Sequence, residues 1–278
     1  MKTPHKKQQS NNSVQSERGV TLIELLFALP IATLISIILM GTLFVQYTNS
    51  LAESARSNLR SSGQTLLINL QDELLFTIAY GEQLNSSLTD QYESDSAQSG
   101  TWRHDSDPQT LIINEIALDT TRRDEDRNIV RRRTNDCASS RITNNSVAIN
   151  NVIYFIQDNP DSNYKSLMKR IITPTYDLCG IDSDTGDPCE ADLTPTCSGN
   201  AKTTTCPEGE VGTNGCTQTD SMLTDKVIDM EITYYAENNV ITPFPSAADK
   251  VEIILTMGDK VYGKEVETEV KHTIRKIN

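Results

Sequence analysis

The chain has 278 residues, with 38 Asp plus Glu against 25 Lys plus Arg, a formal net charge of −13, 37% apolar residues and 5% aromatics. That length supports one or two domains with a sizeable core, and the apolar content excludes a wholly disordered chain. The acid excess excludes a protein that coats nucleic acid, which needs a dense basic surface.

The first nineteen residues, MKTPHKKQQSNNSVQSERG, form a polar leader with Lys2, Lys6, Lys7 and Arg18 against Glu17. From Val20 to Val45 the sequence reads VTLIELLFALPIATLISIILMGTLFV, with Glu24 as its single charge. More than about 18 apolar residues in a row can cross a bilayer as a helix. The positive-inside rule then keeps the leader in the cytoplasm and sends the C-terminal bulk outside. An ordinary secretory signal places its apolar core ahead of a small-residue cleavage site. Here the order is inverted, and an uncleaved signal anchor is the plainer reading. Glu24 argues for more, because a carboxylate inside a membrane helix costs roughly 2.5–3.5 kcal/mol on insertion scales and needs a partner. It lies in the first turn, where the helix dipole favours negative charge. Pro30 removes a backbone donor and predicts a kink, and Gly41 is a second weak point, about 1 kcal/mol below alanine in helix propensity.

The run Arg18-Gly19-Val20-Thr21-Leu22-Ile23-Glu24-Leu25-Leu26, continuing into an unbroken apolar helix, resembles the class III signal of type IV pilins and type II secretion pseudopilins. The resemblance implies cleavage between Gly19 and Val20 by a prepilin peptidase on the cytoplasmic side. It also implies N-methylation of Val20, although that family usually has Phe at this position. Glu24 would meet the N-terminal amine of a neighbouring subunit and set the stagger of a filament, with Pro30 and Gly41 as helix hinges.

Beyond Tyr47 the chain turns polar but keeps a helical rhythm: Leu51, Ala55, Leu59, Leu66, Leu70, Leu74 and Ile78 fall on one face. A helix over residues 20–80 is predicted, about 90 Å long at 1.5 Å per residue, with Ser61-Ser62-Gly63 as a candidate break. Its exposed half needs a sheet to cover the apolar stripe. Residues 81–108 read as a long loop closed by Asp107-Pro108. Strands are predicted at Thr110–Leu118, Val147–Gln157, Leu167–Ile172, Lys226–Tyr235, Val251–Met257 and Tyr262–Ile277. In the last, Val266, Val270 and Ile274 share a face, as in half-buried antiparallel strands. The expected fold class is α+β, a long helix packed on an antiparallel sheet. The element order resembles the J-type minor pseudopilins and W-type minor pilins, through Val152–Ile156 with Leu167–Arg170, and Val227–Tyr235 with Val251–Met257. Glu24 separates the chain from the K-type subunit, which usually lacks that residue.

Arg122, Arg123, Arg127 and Arg131-Arg132-Arg133 form the head's basic concentration, interleaved with Asp124, Glu125 and Asp126. Without aromatics they suit a solvated hairpin or a subunit contact better than nucleic acid. The six cysteines are Cys137, Cys179, Cys189, Cys197, Cys206 and Cys216. An even count in an exported head predicts disulfides, with fifteen connectivities open. The absence of any C-x-x-C pair argues against a zinc ribbon. Residues 173–221 form an insertion rich in Pro, Gly, Thr and Asp, which staples of about 2–4 kcal/mol each would order. Within it, Asp182, Asp184 and Asp187 beside Gly186 offer oxygens to calcium, or are solvated turn carboxylates.

No G-x-S-x-G, P-loop or dinucleotide fingerprint occurs, and His5, His104 and His272 have no metal-ligand spacing. A non-enzymatic subunit is expected: a leader at 1–19, the helix over 20–80 spanning the inner membrane at about 20–45, and an exported head at 81–278. The resemblance implies pilin or pseudopilin partners, the peptidase, an assembly platform and membrane lipid. A tip-binding module gripping a surface, a sugar or DNA through the insertion is the alternative. A single-pass anchored protein outside any filament is the third reading.

Overall fold

The computed structural model describes residues 21–74, 77–84, 90, 92, 102–116, 149–172, 204–212, 216 and 218–276. One helix and one large sheet dominate them. The helix α1 runs unbroken over Leu22–Leu74, and the chain divides by contacts into residues 1–51 and a unit over 52–278.

Within the second unit, the buried positions of α1 are Ala52, Leu59, Gly63, Leu67, Leu70 and Leu74. Their spacing of three, four or seven residues draws one stripe along the helix. Each buried leucine contributes about 1.5–3 kcal/mol of transfer free energy. This stripe is centred one residue beyond the predicted one, so Ala52 and Leu67 are buried where Leu51 and Leu66 are only half-covered. The helix does not break at Ser61-Ser62-Gly63. A Cβ on Gly63 would stand 2.6 Å from Met257 Sδ and 2.7 Å from Val270 Cγ2, so this glycine is a notch for the sheet.

The helix is also shorter than predicted. Thr77–Gly81 is the strand β1, paired antiparallel with β2 over Leu111–Ile116. Pairing with β2 satisfies its backbone and buries Tyr80, which outweighs the helical spacing Leu70-Leu74-Ile78. The remaining strands are β3 over Ile149–Asp158, β4 over Lys165–Ile172, β5 over Thr205–Cys206, β6 over Gln218–Thr219, β7 over Ser221–Tyr235, β8 over Lys250–Val261 and β9 over Lys264–Arg275. Seven of them form one sheet in the order β1-β2-β3-β4-β7-β8-β9, with every neighbouring pair antiparallel. Tyr262 and Gly263 form the β8–β9 turn with positive φ rather than the start of a strand.

The sheet curls. Tyr80 on β1 and Tyr234 on β7 stand 6.0 Å apart, although three strands separate theirs in the sheet order. Its concave face meets α1 through Val251, Ile253, Leu255 and Met257 of β8 and Val266, Val270 and Ile274 of β9, the alternation read from sequence. β3 is covered on both faces from Asn151 to Ile156. The second cover is a small core on the convex side, in which Leu84, Trp102 and Ile112 meet Ile153, Phe155 and Ile172.

Candidate functional site

The first turn of α1 is closed by a capping box. The Thr21 backbone N–H and hydroxyl donate to Glu24 Oε2 at 2.9 and 3.0 Å, and the Glu24 N–H donates to Thr21 Oγ1 at 3.3 Å. Thr and Glu three residues apart satisfy each other's backbone donors at a helix start. The carboxylate that the sequence leaves without a partner therefore has one within its own turn. The T-x-x-E spacing was legible as a cap.

Every residue from Thr21 to Tyr47 is exposed in the single chain, and the helix is long and apolar enough to cross a membrane. Its polar side chains are turned inward. Thr33 donates to the Pro30 carbonyl, Ser36 to Ala32, Thr42 to Leu39, each at 2.8 Å, and Thr48 to Val45 at 3.0 Å. In hydrocarbon an unpaired hydroxyl has no water to turn to, so such back-bonding suits a helix in lipid. α1 passes through Pro30 and Gly41 without interruption.

The convex face of the sheet carries a buried ion cluster. Arg170 on β4 and its two carboxylates are nearly inaccessible, at 2% for the Arg170 side chain, 5% for Asp90 and 3% for Asp220. Arg170 Nη2 donates to Asp220 Oδ2 at 2.6 Å and Nη1 to Asp90 Oδ2 at 2.6 Å, and Nη1 also donates to the Tyr92 carbonyl. The guanidinium lies 5.6 Å from the Trp102 ring and 5.4 Å from Phe155. Trp102 Nε1 donates to Asp90 at 2.7 Å, and Thr205 Oγ1 donates to Asp220 at 2.8 Å. Burial works against the charge on Arg170, but the hydrogen bonds and attraction from Asp220 and Asp90 outweigh it and raise its pKa. The cluster thus fastens Asp90, Tyr92 and the end of the insertion to the sheet.

Beside that anchor Cys206 and Cys216 form a disulfide with a Cα separation of 6.0 Å, one of the pairings left open by the sequence. The Asp220 N–H donates to the Cys206 carbonyl at 2.8 Å, joining staple and ion cluster. Cys137, Cys179, Cys189 and Cys197 lie outside the described residues, as do Gly19 and Val20, the arginine run 122–133, and Asp182, Asp184 and Asp187. Among the described residues no three His, Cys, Asp or Glu side chains converge as metal ligands. His104 meets the Glu82 carbonyl through Nδ1 at 3.0 Å, and His272 meets Gln71 through Nε2 at 2.5 Å.

Two further features belong to the head. On the concave side Tyr154 OH donates to Glu73, which also takes Lys169 Nζ at 2.7 Å. Burial and the Glu73 charge push the Tyr154 hydroxyl well above its ordinary pKa. Between β7 and β8, Val240, Ile241 and Phe244 stand 61%, 67% and 59% exposed. Their loop is held by backbone bonds from Ala236 N to Val240 O and Thr242 N to Tyr234 O, at 2.8 and 2.9 Å. The three residues form a small exposed apolar patch on this loop.

The ion cluster was invisible in the sequence, because Arg170 meets Asp220 and Asp90 across 50 and 80 residues. Compared with protein-family models, curated proteins and solved structures, the chain matches none.

Proposed function

We propose that this chain is a minor pilin or pseudopilin, a structural subunit of a type IV pilus or a type II secretion pseudopilus. It would be inserted in the inner membrane with its leader inside, cut by prepilin peptidase after Gly19 and N-methylated on Val20. The observation that carries this reading is the single helix α1, uncovered over its apolar first half and buried along one stripe only in the head. An element of that kind exchanges lipid for other helices when the subunit enters a filament. Glu24 is the charge that sets register, leaving its bonds to Thr21 for the amine of a neighbouring subunit. Pro30 leaves the Leu26 carbonyl without a helical donor, which with Gly41 gives the helix places to bend. The exposed loop of Val240, Ile241 and Phe244 suits contacts between heads. Its partners are other pilins, the peptidase, the assembly platform and lipid, and the work is mechanical rather than catalytic.

Two substitutions test this. Gly19→Ala abolishes a mass loss of about 2 kDa, the share of 19 residues in a 278-residue chain of 30.9 kDa. Glu24→Ala leaves processing and membrane insertion intact but removes the subunit from sheared filaments. Normal incorporation of Glu24→Ala would overturn the reading, and an unprocessed wild-type chain would favour a plain membrane anchor.

A second reading, a tip-binding module, is favoured by the firm attachment of the end of the insertion through Cys206–Cys216 and Asp220. Deleting residues 174–203, which spares that attachment, then preserves filaments and abolishes adhesion or DNA uptake. Unchanged adhesion and uptake would exclude it.

A further inference from the structure

The C-terminal half of β7 is an open edge within the head. β4 pairs with β7 only as far as Val227, while β8 follows the other side to Tyr235. Past Val227 the side of β7 that faced β4 meets no strand among the described residues until the single bridge Tyr235–Ile241. Side chains and one loop stand in for a strand there. The Met230 N–H donates to Asp229 Oδ1 at 2.9 Å and the Ile232 N–H to Gln109 Oε1 at 2.6 Å. The Thr242 N–H donates to the Tyr234 carbonyl at 2.9 Å, and Pro243, with no N–H, ends the run. In an antiparallel strand both backbone groups of a residue point to the same side. The Ile232 carbonyl and the Tyr234 N–H therefore face this edge as well, between Gln109 and Thr242.

A cleft of about 490 Å³ lies along this stretch, and Gln109, Ile232, Tyr234 and Thr242 all line it. Ile241, Pro243 and Phe244 add apolar lining, with Ile241 67% and Phe244 59% exposed. Gln109 is itself exposed, so its amide is free to swing away and leave the Ile232 N–H to another acceptor. Such side-chain caps also keep a bare edge from pairing indiscriminately. The charges that line the cleft are unevenly matched. Asp105 takes Arg103 in two bonds, at 2.9 and 3.0 Å. The Glu82 carboxylate receives the Ser246 hydroxyl at 2.7 Å and has no cation among the described residues.

We propose that this edge binds an extended peptide segment of a partner protein by strand addition, apolar at alternate positions and carrying a basic residue for Glu82. A strand added to an open edge draws affinity from main-chain hydrogen bonds and specificity from pockets for alternate side chains. In the antiparallel sense, the peptide residue opposite Ile232 exchanges both backbone bonds with it, its carbonyl replacing Gln109 Oε1. The Tyr234 N–H takes a second peptide carbonyl, and the apolar side chains meet Ile241 and Phe244. Charge selects the basic residue, with Glu82 and Asp105 against Arg103 in the cleft and a net charge of −13 on the chain. The site belongs wholly to the head unit and does not rest on the filament reading.

Fluorescence anisotropy with the full chain in non-ionic micelles tests the assignment. The ligand is a labelled, capped hexapeptide with valine at every second position and one central lysine. The wild-type chain is expected to bind it below about 1 mM, the weak end of specific recognition. Ile241→Ala and Phe244→Ala each weaken binding about 5-fold or more. Glu82→Gln weakens it about 2- to 5-fold, and only for a peptide that carries lysine. Gln109→Ala separates strand addition from plain apolar capture: it frees the Ile232 N–H and tightens binding about 2- to 10-fold, the worth of one hydrogen bond. N-methylation of alternate peptide amides abolishes binding in one of its two settings and spares it in the other. No binding, equal behaviour of the two N-methylated forms, or weaker binding to Gln109→Ala overturns the proposal. Self-association of the chain without peptide, lost in Phe244→Ala, overturns it in favour of a second copy.

Discussion

Arg170→Met is expected to destabilise the head by about 3–5 kcal/mol, the cost of stranding buried charges when one partner of an ion pair is removed. Methionine fills much of the space and keeps contact with Trp102 and Phe155, so the loss is electrostatic rather than a cavity. What remains is Asp90 and Asp220, each about 5% exposed or less, without their cation. For a unit of this size the effect corresponds to a fall in Tm of about 10 °C. Trp102 reports it directly, being 1% exposed and bonded to Asp90. The triple change Arg170→Met, Asp90→Asn, Asp220→Asn is expected to recover a large part of the loss, because no unpaired charge is left. A single-variant loss below about 1 kcal/mol would mean that the cluster does not hold the head together.

Gly63→Val is the second large effect, and it turns on two opposed terms. A side chain at a helical glycine gains up to about 1 kcal/mol in propensity, most of all for alanine. Against this, the added atoms enter a contact already closed, since even a Cβ would lie 2.6 Å from Met257 Sδ and 2.7 Å from Val270 Cγ2. Overpacking costs about 1–3 kcal/mol per well-packed site, and the stiff valine branches cannot rotate out of the way. Gly63→Val is therefore expected to lower Tm by about 2–12 °C, at roughly 2–4 °C per kcal/mol. Gly63→Ala loses much less, because Met257 is flexible and propensity offsets part of the clash. A neutral Gly63→Val would show that helix and sheet are not held at this distance.

These two residues also mark where the sequence was and was not readable. A bilayer forces twenty-odd apolar residues into one run, so the first half of α1 was plain from composition. The strand β9 was equally plain, because it alternates with Val266, Val270 and Ile274 inward. Gly63 looked like a helix breaker because propensity is local, whereas its role depends on Met257 and Val270 about 200 residues away. The end of α1 was misplaced for the same reason: Ile78 continues the helical spacing, but the β1–β2 pairing decides its conformation. Arg170 carried no local signal at all. Its neighbours in sequence suggest an outward strand position, and its contacts with Asp90, Tyr92, Trp102 and Asp220 make it interior.

The way β9 lies along the helix bears on how the head withstands force. Arg56 Nε donates to the Glu267 carbonyl at 3.4 Å, Val270 fills the notch at Gly63, and His272 Nε2 meets Gln71 Oε1 at 2.5 Å. The contacts advance together along both elements, over about 22 Å of helix between residues 56 and 71 at 1.5 Å per residue. A tension applied through the chain at Ala52 therefore loads them in shear. They share the load and must fail as a set, whereas contacts set across the pull would peel one after another. Forced unfolding is governed by the barrier to rupture, and this arrangement raises that barrier without an additional bond.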